Sequence, residues 1–402
     1  MTGESDSEIY DAAVVGAGPA GSACAIVLAR AGIRVLLCDK SVFPRSKICG
    51  ETVNPRCWAA FDALGVAEEI GRHLRTRIGT VAVTNKAGKE IRAQTKRDPM
   101  RPFFSMGRDT LDSVLAGAAV RAGVEFRDGA AVVGVTWDDY WRIEIRDRRS
   151  AETDKFAARY LVGADGRNSI VAGSLTRMGG GDRRATKHRR DDERVGVQWH
   201  TNLDTRFAGV LHMFLFDAGY CGLVDVDDRH TNVSMVTTPA IAAVAKTDFR
   251  GFLNRTVWSN PVAARRFPDL SPIGEITTTS PINPRRNRCD HPHAVLAGDA
   301  AQTVEPFTGE GIRCALEDGI ATAEHLIRKR QGKKAGAPAT PDRFRVNGVF
   351  SPILRRPQVR DGLVSLGARF PVLSRWVVGS VMSARSVKSR ERQPARHANP
   401  RR

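Results

Sequence analysis

Ile9-Tyr10-Asp11-Ala12-Ala13-Val14-Val15-Gly16-Ala17-Gly18-Pro19-Ala20-Gly21 is a short apolar run that breaks into a glycine-spaced turn. Residues 9–15 read as a buried strand, and the small, apolar stretch 21–31 reads as a buried helix. A second apolar run, 33–38, ends in Asp39, which lies 23 residues beyond Gly16. In Gly16-x-Gly18-x-x-Gly21 the first glycine permits the tight turn and the second admits backbone close to a pyrophosphate. The third lets helix and strand pack closely. The helix N-terminus then stabilises phosphate charge, and an acid at the end of the second strand accepts hydrogen bonds from ribose hydroxyls. This is the opening βαβ unit of a doubly wound, Rossmann-like α/β fold.

Two distant segments extend the pattern. Gly163-Ala164-Asp165-Gly166 follows the apolar residues 160–162, and Gly298-Asp299-Ala300-Ala301 follows a buried strand at 294–296. Pro306 and Gly309-Glu310-Gly311-Ile312 then lead into a helix over 311–330. Asp299 emerges at a strand's C-terminal end, where ligands gather in α/β sheets, and is placed to hold ribityl hydroxyls. A helix cap is the plainer role for the same residue. The amides and dipole at the start of helix 311–330 suit the pyrimidine edge of a reduced flavin. Three loops this far apart, converging on one long cofactor, point to FAD. Asp165 has three open roles: contact with a nicotinamide donor, support of the flavin, or closing a turn.

Between these segments, Asn54-Pro55 starts a helix over 56–64 that ends at Gly65. Residues 79–106 alternate as strands around a turn at 85–89, and Arg108 opens an amphipathic helix to residue 122. Residues 124–135 and 141–145 read as strands, 179–193 as a Gly-rich, charged loop, and 195–236 as several further strands. The expected organisation is an FAD-binding domain in three parts, 1–78, 108–178 and 291–332. A mainly antiparallel substrate domain, 79–107 and 179–290, interrupts it, and a basic helical segment, 333–402, follows.

The chain has 402 residues, of which 42% are hydrophobic, enough for a sizeable core. Its seven cysteines are scattered without zinc-type spacing, so no metal site is expected and a reducing, cytoplasmic setting is the simplest. The first seven residues are polar and acidic, unlike a secretory signal. Of the formal charge of +18, a net +16 lies between Arg328 and Arg402, where 19 Lys and Arg face Asp342, Asp361 and Glu391. Residues 359–382 mix apolar side chains with arginines. Two readings fit: an interfacial helix on the anionic inner face of a membrane, or helices packed on the domain with a solvated tail. Nucleic acid is disfavoured, because no fold motif supports it.

The three glycine segments together resemble the flavoprotein superfamily that includes para-hydroxybenzoate hydroxylase, squalene epoxidase, flavin-dependent halogenases and the geranylgeranyl reductases. Pro44-Arg45-Ser46-Lys47-Ile48-Cys49-Gly50-Glu51 is similar to a segment of the geranylgeranyl reductase branch, as is Pro306-Phe307-Thr308-Gly309-Glu310-Gly311-Ile312. The resemblance covers residues 9–330. It implies that Ala20, Asp39, Cys49, Gly50, Thr52, Arg108, Ala131, Asp299, Gly311 and Ile312 line FAD. The Tyr-x-Trp-x-Phe-Pro stretch of that branch is matched only by Tyr220, and the Trp pair of halogenases is missing.

The expected activity is FAD-dependent reduction of a carbon–carbon double bond in an isoprenoid or other lipid-like molecule. Cys49 is the candidate proton donor; Arg45 and Lys47 in its loop would favour its thiolate if near. Simple packing against the flavin ring is the alternative for Cys49. The alternative activity is an FAD-dependent monooxygenase on an apolar or aromatic substrate; a halogenase ranks third, and a flavin-bound module without turnover is a different class. NADPH, NADH, ferredoxin or a quinol could supply the electrons. His200, His212, Trp199, Phe214, Phe216 and Tyr220 are candidates for a substrate cavity, with alternation sending about half of them to the other face.

Overall fold

The apolar run after Ile9 forms the strand Tyr10–Val15, and the helix Pro19–Arg30 begins with proline, where a missing N–H costs nothing. Strand Val35–Cys38 is buried throughout and pairs in parallel with Tyr10–Val15, as apolar runs covered on both faces do. Glu125–Arg127 adds to one side of this sheet and Thr153–Gly163 to the other. The outer edge of Thr153–Gly163 serves two partners. Its first half pairs antiparallel with Trp141–Asp147, and its last residues pair in parallel with Ala294–Leu296. One strand thus brings the middle and late glycine motifs to the same end of the sheet as the first. The computed structural model describes residues 9–95, 98–179, 193–202, 209–334 and 353–370.

Three expectations are corrected. The stretch 124–135 is two strands: Glu125–Arg127 joins the parallel sheet, while Ala130–Trp137 forms a hairpin with Trp141–Asp147. Gly129, at φ +66°, turns the chain between them. The helix near residue 56 is Cys57–Ala63 and is followed by a second one, Ala67–Arg72. Thr153–Gly163 begins seven residues before the apolar signal at residue 160, because its exposed edge half carries Thr153, Asp154 and Lys155. Most of the loop 179–193, and residues 335–352 and 371–402 of the basic C-terminal segment, lie outside the described residues.

The second sheet has seven strands in the order Ile273–Thr279, Val195–Thr201, Thr231–Thr237, Gly219–Asp225, Val210–Phe216, Thr80–Thr84 and Glu90–Gln94. All neighbours are antiparallel except Val210–Phe216 with Thr80–Thr84. Its two faces are chemically distinct. Trp199, Phe214 and Phe216 pack with Phe252 and Phe267 of the chain between residues 239 and 270. Met213, Leu215 and Tyr220 face the other way with Val81 and Ile91, and the helix Pro357–Arg369 lays Val364 against them. Among the described residues, no helix is long and apolar enough to cross a membrane.

Candidate functional site

The turn after Tyr10–Val15 is shaped by what cannot fit there. Gly16 has φ +99°, and a Cβ on it would lie 2.5 Å from the Ala164 carbonyl oxygen, so the middle motif crosses directly over the first. A Cβ on Gly21 would lie 1.8 Å from the Gly16 oxygen. Gly18 differs: a Cβ there would meet only the Arg45 guanidinium, at 3.6 Å, so this position faces an open groove beside the helix N-terminus. Asp39 is buried and closes the turn, accepting from the Ala17 amide at 2.9 Å and, through its other oxygen, from Ser41 at 2.9 Å.

Asp165 takes the turn-closing role among the three left open. Its oxygens accept from Ser169 Oγ at 2.5 Å, and from the amides of Ile170 at 2.6 Å and Val171 at 3.3 Å. Both are spent on the start of helix Ile170–Arg177. The carboxylate therefore supports the loop beneath Gly16 and is not presented as a free acceptor.

Behind the groove lies an ion cluster that sequence reasoning missed. Asp112, fully buried, is held bidentately by Arg108 at 3.1 and 2.8 Å and by Arg45 at 3.0 Å. Arg45 also reaches Asp39 at 3.6 Å. The Arg108 guanidinium, which the resemblance places against FAD, is engaged in this interior pair and additionally reaches the Cys49 thiol. Arg45 faces both aspartates through its terminal nitrogens, while its Nε is buried without a hydrogen-bond partner among the described residues. The i,i+4 spacing of Arg108 and Asp112 was visible in the sequence, but helical pairs of this kind are usually solvated.

Cys49 is clamped at both backbone groups. Its amide donates to Gln198 Oε1 at 2.9 Å, its carbonyl accepts from Asn232 Nδ2 at 3.0 Å, and Gln198 donates to Asn232 at 3.0 Å. Both amide side chains are buried on neighbouring strands of the second sheet. Glu51, two residues on, holds a left-handed φ of +52°, rare for a side chain of its size. Its carboxylate meets His200 Nε2 at 2.9 Å, and this hydrogen bond raises the His200 pKa against the opposing effect of burial. Asp109 and Asp227 add to the rise. A raised folded pKa stabilises fully below the unfolded value of about 6.5, and that contribution is lost as pH climbs through the folded value. The difference in Tm between the native chain and His200→Gln is therefore expected to be largest near about pH 6 and to shrink toward about pH 9. Because 36% of the His200 side chain is exposed, solvent screening keeps the effect small, and its direction is the test.

The late motif completes the groove. A Cβ on Gly298 would lie 2.8 Å from that of Ala20, and one on Gly319 only 2.2 Å from the Ala20 carbonyl oxygen, which seats helix Gly311–Arg330 on helix Pro19–Arg30. Asp299 lies 3.6 Å from Arg167, the residue that follows the middle motif. A Cβ on Gly309 would come within 3.2 Å of Thr52 Oγ1, whereas one on Gly311 would meet nothing within 4 Å. Ile312 buries its side chain in the core that includes Leu316 and Val295. Glu310 accepts from Asn54 at 2.8 Å and is bound by Arg313. Ala131 stands apart on the strand Ala130–Trp137, next to the residue whose amide bonds the Asp39 carbonyl at 2.8 Å.

The groove continues into a cavity of about 230 Å³ between the second sheet, the loops carrying Cys49 and Gly309, and the helix Pro357–Arg369. Cys49, Gly50, Thr52 and Gly309 form its groove side, while Val81, Leu211, Met213, Leu215 and Val236 form its apolar far wall. Of the six aromatic and histidine candidates, only Tyr220 lines it. Period-2 alternation explains the outcome: Leu211, Met213 and Leu215 point to the cavity, while His212, Phe214 and Phe216 point to the helical layer with Phe267. Helix Pro357–Arg369, which sequence reasoning left between packing and a membrane, supplies Arg360, Leu363 and Val364 to the wall.

The groove fits FAD by the chemistry of its donors. Gly18 and Gly311 leave space at two helix N-termini, and Asp39 and Asp299 lie at strand ends. Residues 9–202 match the FAD binding domain family. The chain is 33% identical to aklavinone 12-hydroxylase of Streptomyces peucetius over 80% of its own length and 68% of the hydroxylase. The chain belongs to the FAD binding domain family. This flavoprotein is also 27% identical to menaquinone reductase of Mycolicibacterium smegmatis, over 78% of its own length and 75% of the reductase. It is 29% identical to conditioned medium factor receptor 1 of Dictyostelium discoideum over 80% of its own length, but spans only 64% of that receptor. In three dimensions it superposes on a flavoprotein/dehydrogenase from Cytophaga hutchinsonii with a TM-score of 0.76 at 17% identity, covering 92% of each chain. It is an FAD-dependent oxidoreductase. When bound, FAD supplies the two-electron chemistry; the chain's own residues would hold it in the groove.

Proposed function

We propose that this flavoprotein reduces a carbon–carbon double bond of an isoprenoid or other lipid-like molecule held in the 230 Å³ cavity. The observation that carries the reading is the cavity's composition: Val81, Val83, Ile91, Leu211, Met213 and Leu215 line it, and Cys49 and Gly50 bound it on the groove side. Cys49, with its backbone fixed by Gln198 and Asn232, is the candidate proton donor. Similarity to a menaquinone reductase supports reduction. A second reading, hydroxylation of an apolar substrate with molecular oxygen, is supported by the 33% identity to aklavinone 12-hydroxylase. A peripheral contact with anionic lipid is supported by Val359, Leu363, Leu366 and Phe370, which are exposed at helical spacing near a basic tail.

The two activities separate by their need for oxygen. The FAD-loaded protein is reduced with dithionite under argon and mixed with a polyprenyl lipid. Reoxidation of the flavin is expected, with a product two hydrogens heavier in which one double bond has been reduced. Product that forms only after air is admitted, carrying label from ¹⁸O₂, would replace the reductase reading with the monooxygenase.

A further inference from the structure

One end of the apolar cavity is cationic. Arg167 and Arg360 belong to its wall, and Arg194 and Arg355 join Arg360 around an adjoining void of about 20 Å³ that shares Tyr220 and Leu354 with it. A void of that size accommodates one water-sized group. Arg360 is only 3% exposed and is anchored by the carbonyls of Gly219, at 3.1 Å, and Phe216. Its Nε, the Nε of Arg355 and NH1 of Arg167 are buried with no hydrogen-bond partner among the described residues.

Among the described residues, the nearby acids fall one short of this cluster of four arginines. Asp217 is taken by Lys86 at 2.5 Å, Asp299 lies 3.6 Å from Arg167, and Asp361 lies 3.9 Å from Arg360. That leaves Glu305 facing both Arg194 and Arg355, and Glu305 already accepts the Tyr220 hydroxyl at 2.6 Å. A guanidinium in excess, with orphan N–H groups in an apolar wall, is costly unless an oxyanion completes it. The planar fork of arginine matches carboxylate and phosphate oxygens.

We propose that this end of the cavity takes the anionic headgroup, a carboxylate or a phosphate monoester, of an amphipathic substrate whose apolar body runs past Met213 and Leu215 toward Cys49. The assignment rests on the reading of the cavity as the substrate site. It narrows that site from apolar molecules in general to those carrying one acidic end.

The test uses the full-length, FAD-loaded protein with three probes of equal chain length: dodecanoate, dodecyl phosphate and dodecanol. Binding is read by calorimetry and by the shift in flavin absorbance. At least one of the two anions is expected to bind about 10-fold or more tightly than dodecanol at low salt, a gain of the order of charge-assisted hydrogen bonds. Whichever anion does so identifies the headgroup. The preference is expected to vanish in Arg355→Gln and in Arg194→Gln, and to survive in Arg356→Gln, whose exposed side chain lies outside the cavity lining. Equal binding of all three probes, or an anion preference untouched by Arg355→Gln and Arg194→Gln, would overturn the headgroup site while leaving the apolar cavity intact. If none of the three binds while FAD remains bound, the substrate cavity itself is misassigned and both readings fall.

Discussion

Gly21→Ala is expected to yield a protein that purifies without flavin and unfolds at much lower urea. The added Cβ would sit 1.8 Å from the Gly16 carbonyl oxygen, and the next contacts are Gly16 C at 3.0 Å and Ala164 Cβ at 3.2 Å. Backbone lies on that side, so no flexible side chain can yield, and relief requires shifting helix Pro19–Arg30 off the turn. Overpacking of this kind costs about 1–3 kcal/mol and more where backbone must move. The same shift displaces the helix N-terminus and the Gly18 region from the phosphate position, so FAD affinity is expected to drop by at least ~10-fold, equivalent to ~1.4 kcal/mol. Gly71→Ala provides the control: its Cβ meets nothing within 4 Å, in a helix where alanine is the better residue. Urea midpoints and FAD titrations of the two variants decide the matter. A flavin-replete Gly21→Ala with native stability would show that the turn is not built as described.

Asp112→Ala is expected to have a comparable effect by a different route. Two guanidiniums, Arg108 and Arg45, converge on this fully buried carboxylate and are themselves nearly buried. Removing it leaves two like charges together in the interior, and breaking a buried pair in this way costs about 3–5 kcal/mol. Arg45 and Arg108 also connect the cluster to Asp39 and to Cys49. Their release is expected to weaken FAD binding and to change the rate at which Cys49 is alkylated. Asp112→Asn keeps the volume and is expected to fall between the two. Unchanged flavin affinity in both variants would reduce the cluster to a purely structural role.

Neighbour-dependent chemistry was legible in the chain. The spacing of Gly16, Gly18, Gly21 and Asp39, and the apolar runs on either side, define the βαβ unit because turn sterics and strand periodicity act over a few residues. The late helix beginning at Gly311 was equally plain. Thr153–Gly163 was recovered only at its apolar end, since a strand half exposed at a sheet edge loses the continuous pattern. Asp165 reads the same in sequence whether it caps a helix or meets a cofactor.

What the sequence by itself determined was the class of cofactor and the fold that holds it, because close backbone approach demands glycine at given spacings regardless of what lies elsewhere. Only the tertiary structure decided which groups share the site. Asp112 between Arg45 and Arg108, Gln198 and Asn232 on the Cys49 backbone, and Arg360 at the cavity wall are brought together from residues far apart in the chain. Their roles come from desolvation and from distance, and neither quantity exists until the second sheet, the glycine loops and the helix Pro357–Arg369 have packed together.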